Sequence, residues 1–394
     1  MMHYAIIGNS LLSVKVAETI RHSNPEAEIS LFCPEGVLPY HRHLLASVLL
    51  DAKIAQLACV GEDFYAANRI KLVLDKKITK IHPKRKRILT EEKEQIPFDV
   101  LIIEDGGDIV FADMKGVQKQ GVFHLKTYKD AEQLVSYLSL SEIAIVEINN
   151  IVALQAAYNL RKLNKDVIAV IPSGHLLSDL MDKDIADYLV EQLQKEGIRF
   201  IFNNAIVEVL GDAEVKAIRL KTGKVLESQL LILSQADKNL DLLNTEDLSK
   251  EETNDYVKYE DVFCAKDLAH VLDRSLWDDF LIHQYASAVQ GQNIAAVVLN
   301  QQPAAIPVPV DRSFDLGEIS VSLLGVCKKD EQMTAYMKAD YKANAYKKIF
   351  VQDGVIKGAL LLNNKTDVAT LTKLIGEQKN IAEIPGSIVD YQGS

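Results

Sequence analysis

The pattern of apolar and polar residues at the N-terminus predicts a strand, a tight turn and a helix. Apolar residues at positions 4–7 run up to Gly8, two small residues follow, and apolar positions at helical spacing begin at Leu11. Residues 28–32 (EISLF) predict the next strand. A dinucleotide-binding unit opens in this way, with the pyrophosphate of its ligand at the N-terminus of the helix.

The same pattern recurs in the middle of the chain. Apolar residues 143–146 predict a buried strand, residues 151–163 have helical periodicity, and residues 166–171 (DVIAVI) predict the next strand. An amphipathic helix over residues 182–196 ends at Gly197, a residue typical of helix C-termini. The sequence therefore predicts a second unit of the same kind, followed by short strands.

The end of the chain has a different pattern. Three prolines between residues 300 and 309 predict a linker. Beyond it, strand-like runs, a hairpin turn at Asp353-Gly354 and a final helix predict a C-terminal region of mixed structure.

Composition and charge exclude several classes of protein. The chain has 394 residues, 48% hydrophobic and 25% charged, which indicates a globular protein of two or three domains. The net charge of −11 argues against a nucleic-acid surface. No apolar run is long enough to cross a membrane, and no signal-peptide pattern is seen. The four cysteines, Cys33, Cys59, Cys264 and Cys327, form no C-x-x-C pair, so we expect neither disulfides nor a zinc site, and a cytoplasmic location.

The first turn contains the candidate phosphate contacts. Gly8 occupies the first glycine position of the fingerprint G-x-G-x-x-G, and Ser10 and Ser13 occupy the other two. Their hydroxymethyl groups narrow the approach of the backbone to phosphate without closing it. Glu35 follows the second strand, where an acid holds a ribose hydroxyl in dinucleotide folds; an exposed loop acid is the alternative.

Two further motifs have simpler interpretations. The basic residues 84–87 stand beside Pro83 between strand-like runs, which predicts a solvated hairpin tip. His41 and His43 lie two positions apart without a nearby carboxylate or cysteine, and this arrangement is typical of loop residues, not of a metal site.

Six segments of the chain are informative when they are taken together. They are IIGNS (6–10), LPYHRHLL (38–45), FDVLII (98–103), LQAAYNLRK (154–162), DVFCAKD (261–267) and YKKIFVQDGVIKGALLL (346–362). Together they resemble the pyridine nucleotide-disulfide oxidoreductase superfamily, in the branch of NADH:rubredoxin reductase and the N-terminal part of nitrite reductase large subunits. In that family one unit binds FAD and a second, inserted unit binds NADH. Hydride passes to the flavin, and single electrons pass on to rubredoxin or an iron–sulfur partner.

The resemblance implies an α/β fold with two three-layer, Rossmann-like domains, the second inserted in the first, and a small α+β C-terminal domain. We expect the FAD-type domain at residues 1–112 and 229–300, the NAD-type domain at 113–228, and the C-terminal domain at 311–394.

The second unit departs from the family pattern at its phosphate turn. The three fingerprint glycines fall on Ile148, Asn150 and Ala153. Glu147 stands just before the turn, where a carboxylate would face the pyrophosphate with the same sign of charge. We therefore expect that NADH and NADPH do not bind.

The first unit departs from the pattern near the flavin ring. Many relatives carry a lysine after the loop that contains Arg42, paired with a glutamate from the second unit. These positions are Ser47 and Gln155 here. Because both partners are replaced, no charged side chain is left buried without its partner. Such a paired loss is expected in a protein that no longer depends on flavin chemistry.

The first unit also departs near the phosphates. Glu104 and Asp105 replace the usual Ala-Thr, which places two acids close to the pyrophosphate. Asp267, which in relatives bonds the ribityl chain, is retained, but its neighbour Lys266 replaces a glycine. Lys266 either clashes with FAD or pairs with Glu104 in place of the phosphate charge. The implied FAD site consists of Gly8, Ser10, Ser13, Glu35, Arg42, Lys266 and Asp267, and we expect little FAD in the isolated protein.

Two classes of function stay open. The first is a non-catalytic or FAD-only subunit that docks another redox protein or complex subunit. The second is an active FAD-dependent NADH oxidoreductase that passes electrons to rubredoxin or an iron–sulfur protein. The departures at both turns favour the first, and neither a catalytic residue nor a metal is predicted. The sequence leaves open whether the chain forms an oligomer.

Overall fold

The computed structural model of the chain describes most of its residues. These are residues 1–74, 76–104, 114–234, 261–264, 288–303, 311–329, 331–340, 342, 344–384 and 392–393.

The N-terminal part of the chain contains a parallel sheet, helices and a small antiparallel sheet. Its elements are β1 (His3–Ile7), α1 (Leu11–Ser23), β2 (Glu28–Phe32), a 3-10 helix (Arg42–Leu50), α2 (Ile54–Leu57), α3 (Asp63–Ala67), β3 (Lys71–Val73), β4 (Ile78–His82), β5 (Arg87–Thr90), β6 (Gln95–Pro97) and β7 (Val100–Ile103).

The middle part repeats this plan. Its elements are β8 (Val122–Phe123), α4 (Tyr128–Tyr137), a short 3-10 helix (Leu138–Leu140), β9 (Ile143–Glu147), α5 (Ile151–Lys162), β10 (Asp166–Ile171), α6 (Lys183–Lys195), β11 (Arg199–Phe202), β12 (Ile206–Leu210), β13 (Ala217–Leu220), β14 (Val225–Glu227) and β15 (Leu230–Ile232).

The C-terminal part begins with two elements that belong to the first sheet and its helices, followed by a mainly antiparallel region. The elements are β16 (Val262–Cys264), α7 (Ala288–Val298), β17 (Phe314–Leu316), β18 (Ile319–Gly325), β19 (Thr334–Asp340), β20 (Ala345–Gln352), β21 (Val355–Leu362), α8 (Val368–Gly376), a 3-10 helix (Ile381–Glu383) and β22 (Gln392–Gly393).

The first unit has three layers. Its parallel sheet has the order β16-β7-β1-β2-β3. One face packs on α1 and α7, with Ile6 and Leu12 in a core that also contains Ile294. The other face packs on the antiparallel sheet β4-β5-β6, where Ile7 shares a core with Ile88. This is the layered arrangement that the sequence predicted.

Helix α7 comes very close to α1 because it carries a glycine at the contact. A Cβ atom at Gly291 would lie 2.7 Å from the carbonyl oxygen of Leu12. No side chain fits there, so residue 291 fixes how the returning chain closes the first unit.

The second unit is built in the same way. Its parallel sheet has the order β11-β10-β9-β15-β8. The sheet β12-β13-β14 covers one face, where Ile145 packs with Ile218. Helices α4, α5 and α6 cover the other face, where Val146 packs with Leu154 and Leu189. The fold class is therefore confirmed for both units.

Strand pairing corrects one predicted boundary. We expected the first unit to resume at residue 229, which would assign residues 230–232 to it. Instead β15 pairs with β9 and β8, so these residues belong to the second sheet. The apolar run LLI fits either parallel sheet equally well, because both sheets are buried on two faces. We propose that the second unit extends through Ile232, and the other boundaries stay predictions.

The C-terminal region is an antiparallel sheet with a helix on it. The strand order is β17-β18-β21-β20-β19-β22. Strands β20 and β21 join through Asp353 and Gly354, both with positive φ (52° and 77°), at the predicted hairpin turn. Helix α8 packs on this sheet, with Leu371 and Ile375 in a core that contains Ile349.

The C-terminal sheet shares a hydrophobic core with the second unit. Phe314 and Leu323 pack in the same buried cluster as Tyr158 of α5 and Leu45 of the first 3-10 helix. The side chain of Lys348 reaches across to Asp182, with 2.6 Å between Nζ and Oδ2. The C-terminal region is thus anchored on the second unit. In the part of the chain described above, no helix is long and apolar enough to cross a bilayer.

Candidate functional site

The turn between β1 and α1 is closed by hydrogen bonds of its own side chains. Ser10 caps the helix, and its Oγ accepts a hydrogen bond from the amide of Leu12 at 3.1 Å. The hydroxyl of Ser13 donates to the carbonyl oxygen of Ser10 at 2.9 Å. Ser10 and Ser13 are almost fully buried. The two hydroxyl groups at fingerprint glycine positions therefore bond within the turn.

Glu104 lies directly on this turn. It follows β7, and its amide donates to the carbonyl oxygen of Ile7 at 2.8 Å, which holds it beside Gly8. The hydroxyl of Ser10 donates to the Glu104 carboxylate. A Cβ atom at Gly8 would collide with that carboxylate. Glu104 is 4% exposed, so its side chain fills the space that the glycine leaves.

Glu35 is not an exposed loop acid, so that alternative is wrong. Its Oε1 forms an ion pair with Arg42 at 2.7 Å, and both side chains are less than 10% exposed. Its Oε2 accepts hydrogen bonds from the hydroxyl of Tyr40 at 2.7 Å and from the amide of Tyr128 at 3.1 Å. The two residues expected to contact FAD separately therefore contact each other.

Arg42 and Asn9 add further hydrogen bonds around this ion pair. Arg42 also donates to the carbonyl oxygen of Lys126 at 3.2 Å. The fully buried Asn9 accepts from the amide of Glu35 and donates to the carbonyl oxygen of Val37. Sequence reasoning missed the roles of Asn9, Tyr40 and Tyr128. The tyrosine of LPYHRHLL was a signal for Tyr40, whereas Tyr128 contributes a backbone amide that no motif marks.

Two cysteines near this turn are held as thiols. Burial raises the pKa of the Cys59 thiol to about 12, and the negative charge of Glu104 adds to the effect. The pKa of Cys33 is raised further, first by burial and then by the charges of Glu104 and Glu35. Thiol chemistry needs a thiolate, so neither side chain is a nucleophile near neutral pH.

The turn before α5 is closed by asparagine side chains. Asn150 caps the helix, and its Oδ1 accepts the amide of Ala153 at 2.8 Å. Its side-chain nitrogen donates to Asn149 Oδ1 at 2.9 Å. Asn149 in turn donates to the carbonyl oxygen of Ser234. Ile148, at the first glycine position, is 1% exposed.

Glu147 adds a half-buried carboxyl group at the same turn. Burial raises its pKa from the ordinary value of 4.5 to about 7, and a hydrogen bond from the backbone of Ser234 offsets part of this effect. The hydroxyl of Ser234 donates to the carbonyl oxygen of Glu147 at 2.7 Å. Glu147 therefore holds its proton more tightly than a fully solvated glutamate does.

Uncharged residues, Ser47 and Gln155, occupy the two positions of the family's lysine–glutamate pair. The Ser47 hydroxyl donates to the carbonyl oxygen of Leu44 at 2.6 Å. Gln155 Oε1 is buried and accepts no hydrogen bond from any described residue. Asn159, one turn further along α5, donates to the carbonyl oxygen of Ala46 at 2.8 Å and ties the helix to the loop.

The remaining predicted site residues cannot be placed. Lys266, Asp267 and Asp105 lie outside the described residues, so the two alternatives for Lys266 stay open. Among the residues that are described, no group of three His, Cys, Asp or Glu side chains could hold a metal ion.

Family comparisons agree with this architecture. The profile of the family described as pyridine nucleotide-disulphide oxidoreductase matches residues 2–272, and that of the rubredoxin NAD+ reductase C-terminal domain matches residues 316–379. A ferredoxin reductase from Rhodopseudomonas palustris superposes with a TM-score of 0.80 at 16% identity, covering 97% of this chain and 96% of that one. Putidaredoxin reductase in its covalent complex with putidaredoxin gives 0.78 at 17% identity, covering 96% and 93%. At these identities the similarity shows the fold.

Two relatives match by sequence over nearly the whole of this chain. A nitrite reductase [NAD(P)H] from Bacillus subtilis is 24% identical over 96% of this chain and 48% of its own length. Subunit epsilon of an NADH-dependent phenylglyoxylate dehydrogenase from Aromatoleum evansii is 23% identical over 98% of this chain and 94% of its own length. The chain spans about half the length of the Bacillus subtilis proteins that it matches. Because the first family profile covers well over half of the sequence, the chain belongs to the pyridine nucleotide-disulphide oxidoreductase family, a family of FAD-dependent NAD(P)H oxidoreductases that act with redox partners.

Proposed function

We propose that this chain is a subunit of a redox complex that docks another redox protein and does not itself take hydride from NADH. The observation that carries the proposal is the turn before α5. There Asn150 caps the helix with its own side chain, and Glu147 adds a half-buried carboxyl group.

Both side chains oppose the binding of a dinucleotide phosphate at this turn. A helix N-terminus binds phosphate through backbone amides that have no other partner, but Asn150 Oδ1 already accepts the amide of Ala153. The fingerprint needs a glycine where Asn150 stands, because the backbone must approach the pyrophosphate closely. An ionised Glu147 would repel the phosphate charge. A dinucleotide would have to displace one side chain and keep the other protonated.

The first unit does not fit FAD in the described geometry. Glu104 lies against Gly8 and Ser10, where the cofactor phosphates would come closest to the backbone. Glu35 has its carboxylate bonded to Arg42 and Tyr40, so a ribose hydroxyl would have to compete with an ion pair. We propose that the protein is isolated mainly without FAD.

The names of relatives support a protein partner. One Bacillus subtilis relative, 22% identical over 99% of this chain, is an electron transfer subunit of assimilatory nitrate reductase. The Aromatoleum evansii relative is also a subunit, and one structural neighbour is held in a complex with putidaredoxin. We propose that this chain likewise binds a redox protein. We also propose that its C-terminal region contributes to the docking surface.

Calorimetric titration with NADH and NADPH tests the proposal. We expect no binding tighter than about 1 mM, the weak end of specific affinities. The matched variant is Asn150→Gly with Glu147→Val, which restores space and removes the charge at the turn. Tight binding to the parent protein would refute the proposal, whereas binding to the variant alone would support the stated cause.

The second candidate is an active NADH-dependent flavoenzyme with rubredoxin or an iron–sulfur protein as acceptor. The retained Gly8 and the match of the C-terminal region to rubredoxin NAD+ reductase favour it. The absorbance spectrum separates the candidates. A colourless preparation is expected from the first, and a yellow preparation bleached by NADH from the second.

A further inference from the structure

We propose that Glu104 is a built-in substitute for the cofactor phosphate: its carboxylate occupies the N-terminal turn of α1 and stabilises the FAD-type unit without FAD. The inference deepens the proposed function and rests on one part of it, namely that the first unit is isolated mainly without FAD.

The backbone places Glu104 at the turn. Its amide donates to the carbonyl oxygen of Ile7, which extends the pairing of β7 with β1 by one residue. The side chain therefore starts beside Gly8, at the carboxyl end of the sheet. Ligands of open α/β sheets bind at this edge.

The hydrogen bonds connect the carboxylate to the helix. The hydroxyl of Ser10 donates to Glu104 and accepts the amide of Leu12, one of the unpaired amides of the first helical turn. The helix has 13 residues, and its dipole favours a negative group at this end. Glu104 is thus bound to the same structural feature that binds phosphate in dinucleotide folds.

The space around Gly8 is occupied in the way that this role of Glu104 requires. A Cβ atom at Gly8 would collide with the Glu104 carboxylate and would lie 2.9 Å from the Cβ of Ser13. The room that a glycine provides for an approaching phosphate is filled by a side chain of this chain. Glu104 itself is only 4% exposed, as a side chain that fills this space should be.

The local charge agrees as well. Burial is the main cause of the raised pKa of Cys33 and Cys59, and the charge of Glu104 is the second cause for both thiols. A negative charge in a poorly solvated region has this effect on a neighbouring thiol. Arg42, a basic residue of the expected FAD site, already pairs with Glu35. A pyrophosphate would add like charge in a medium that screens it weakly.

Thermal unfolding of the full chain tests the inference, with inorganic pyrophosphate and FAD as probes. The variants are Glu104→Ala, which removes volume and charge, and Glu104→Gln, which removes charge alone. We expect the parent midpoint to stay constant with either probe. We expect both variants to unfold several degrees lower than the parent, and Glu104→Ala to regain stability with millimolar pyrophosphate, because binding to the folded state stabilises it.

The exposed Glu142 provides the matched control, and we expect Glu142→Gln to keep the parent midpoint with and without probe. A parent protein that FAD stabilises would overturn the inference. A Glu104→Gln variant as stable as the parent would also overturn it, and this measurement remains decisive if Glu104→Ala does not fold. Titration with NADH reports on the second unit alone, so failure of the proposal about NADH is distinguishable from failure of this inference. The stability of Glu104→Gln tests the role of Glu104 separately from the FAD content of the isolated protein.

Discussion

A single carboxyl group at a phosphate turn changes both the space and the charge that a ligand meets. Glu104 does this at the first turn and Glu147 at the second. Both acids could be identified from the sequence, Glu147 from its place just before the fingerprint turn and Glu104 from what the family resemblance implies. The hydrogen bond from the amide of Tyr128 to Glu35 could not, since the two residues lie 93 positions apart in the sequence. Local spacing carries no information about such a contact.

Glu147 should make stability depend on pH. Its pKa is raised in the folded protein to about 7 from 4.5, so the folded state binds the proton more tightly than the unfolded state. Stability from this residue is present below pH 4.5 and is lost as the pH rises to 7. We therefore expect Glu147→Gln to match the parent at pH 4.5 and to be more stable by up to about 3 kcal/mol at pH 8.

Urea unfolding of parent and variant at several pH values measures this difference. Glu142→Gln is the control, because Glu142 is an exposed acid just before the same strand and should show no such trend. An advantage of Glu147→Gln that is equal at pH 4.5 and pH 8 would contradict the assigned burial.

Most elements could be predicted because their signals are local. Helix α5 spans Ile151–Lys162 against a prediction of 151–163, and α6 ends before Gly197, which has a φ of 94°. The basic residues 84–86 lie exposed in the turn between β4 and β5, as predicted, whereas Arg87 is the first residue of β5 and pairs with His82. The membership of β15 was mistaken because pairing partners in parallel sheets are distant in sequence.

Arg21 holds the end of α1 against two neighbouring loops. Its guanidinium donates to four carbonyl oxygens, those of Pro25, Ala27, Asn68 and Arg69, each at 2.8 Å. Burial, and the nearby charge of Arg69, lower its pKa. A lysine cannot reproduce this planar set of donors, and buried carbonyl groups would lose their partners.

We therefore expect Arg21→Lys to cost about 2–3 kcal/mol in urea unfolding. The matched control is Arg69→Lys, since the exposed side chain of Arg69 donates to the carbonyl oxygen of Pro25, and we expect it to cost less than about 0.5 kcal/mol. Equal effects of the two variants would show that the four contacts of Arg21 do not act together.

At the scale of the molecule, the C-terminal sheet and the second unit form one body. Tyr158 and Phe314 share a core, and Lys348 bonds Asp182 and Asp184 at the start of α6. The sequence predicted the C-terminal sheet and helix but not the surface on which they pack, because no local pattern specifies a contact between residues 158 and 314. The docking surface, the oligomeric state and the cytoplasmic location stay predictions.

Substitution of Gly317 tests how strongly the packing of the C-terminal sheet on the second unit contributes to stability. It lies in the turn between β17 and β18 with a φ of 62°, and a Cβ atom there would collide with the hydroxyl group of Tyr158 on α5. Gly317→Ala therefore combines backbone strain with a steric clash across the contact, and we expect it to cost about 3–4 kcal/mol. Gly223→Ala has the same kind of strain, with a φ of 87°, but meets no atom within 4 Å, so we expect about 1–2 kcal/mol. Urea unfolding gives both values, and hydrogen exchange should locate the additional loss in α5 and β17. If the two variants lose equal stability, the clash is relieved without cost, and the C-terminal sheet is not held tightly on the second unit.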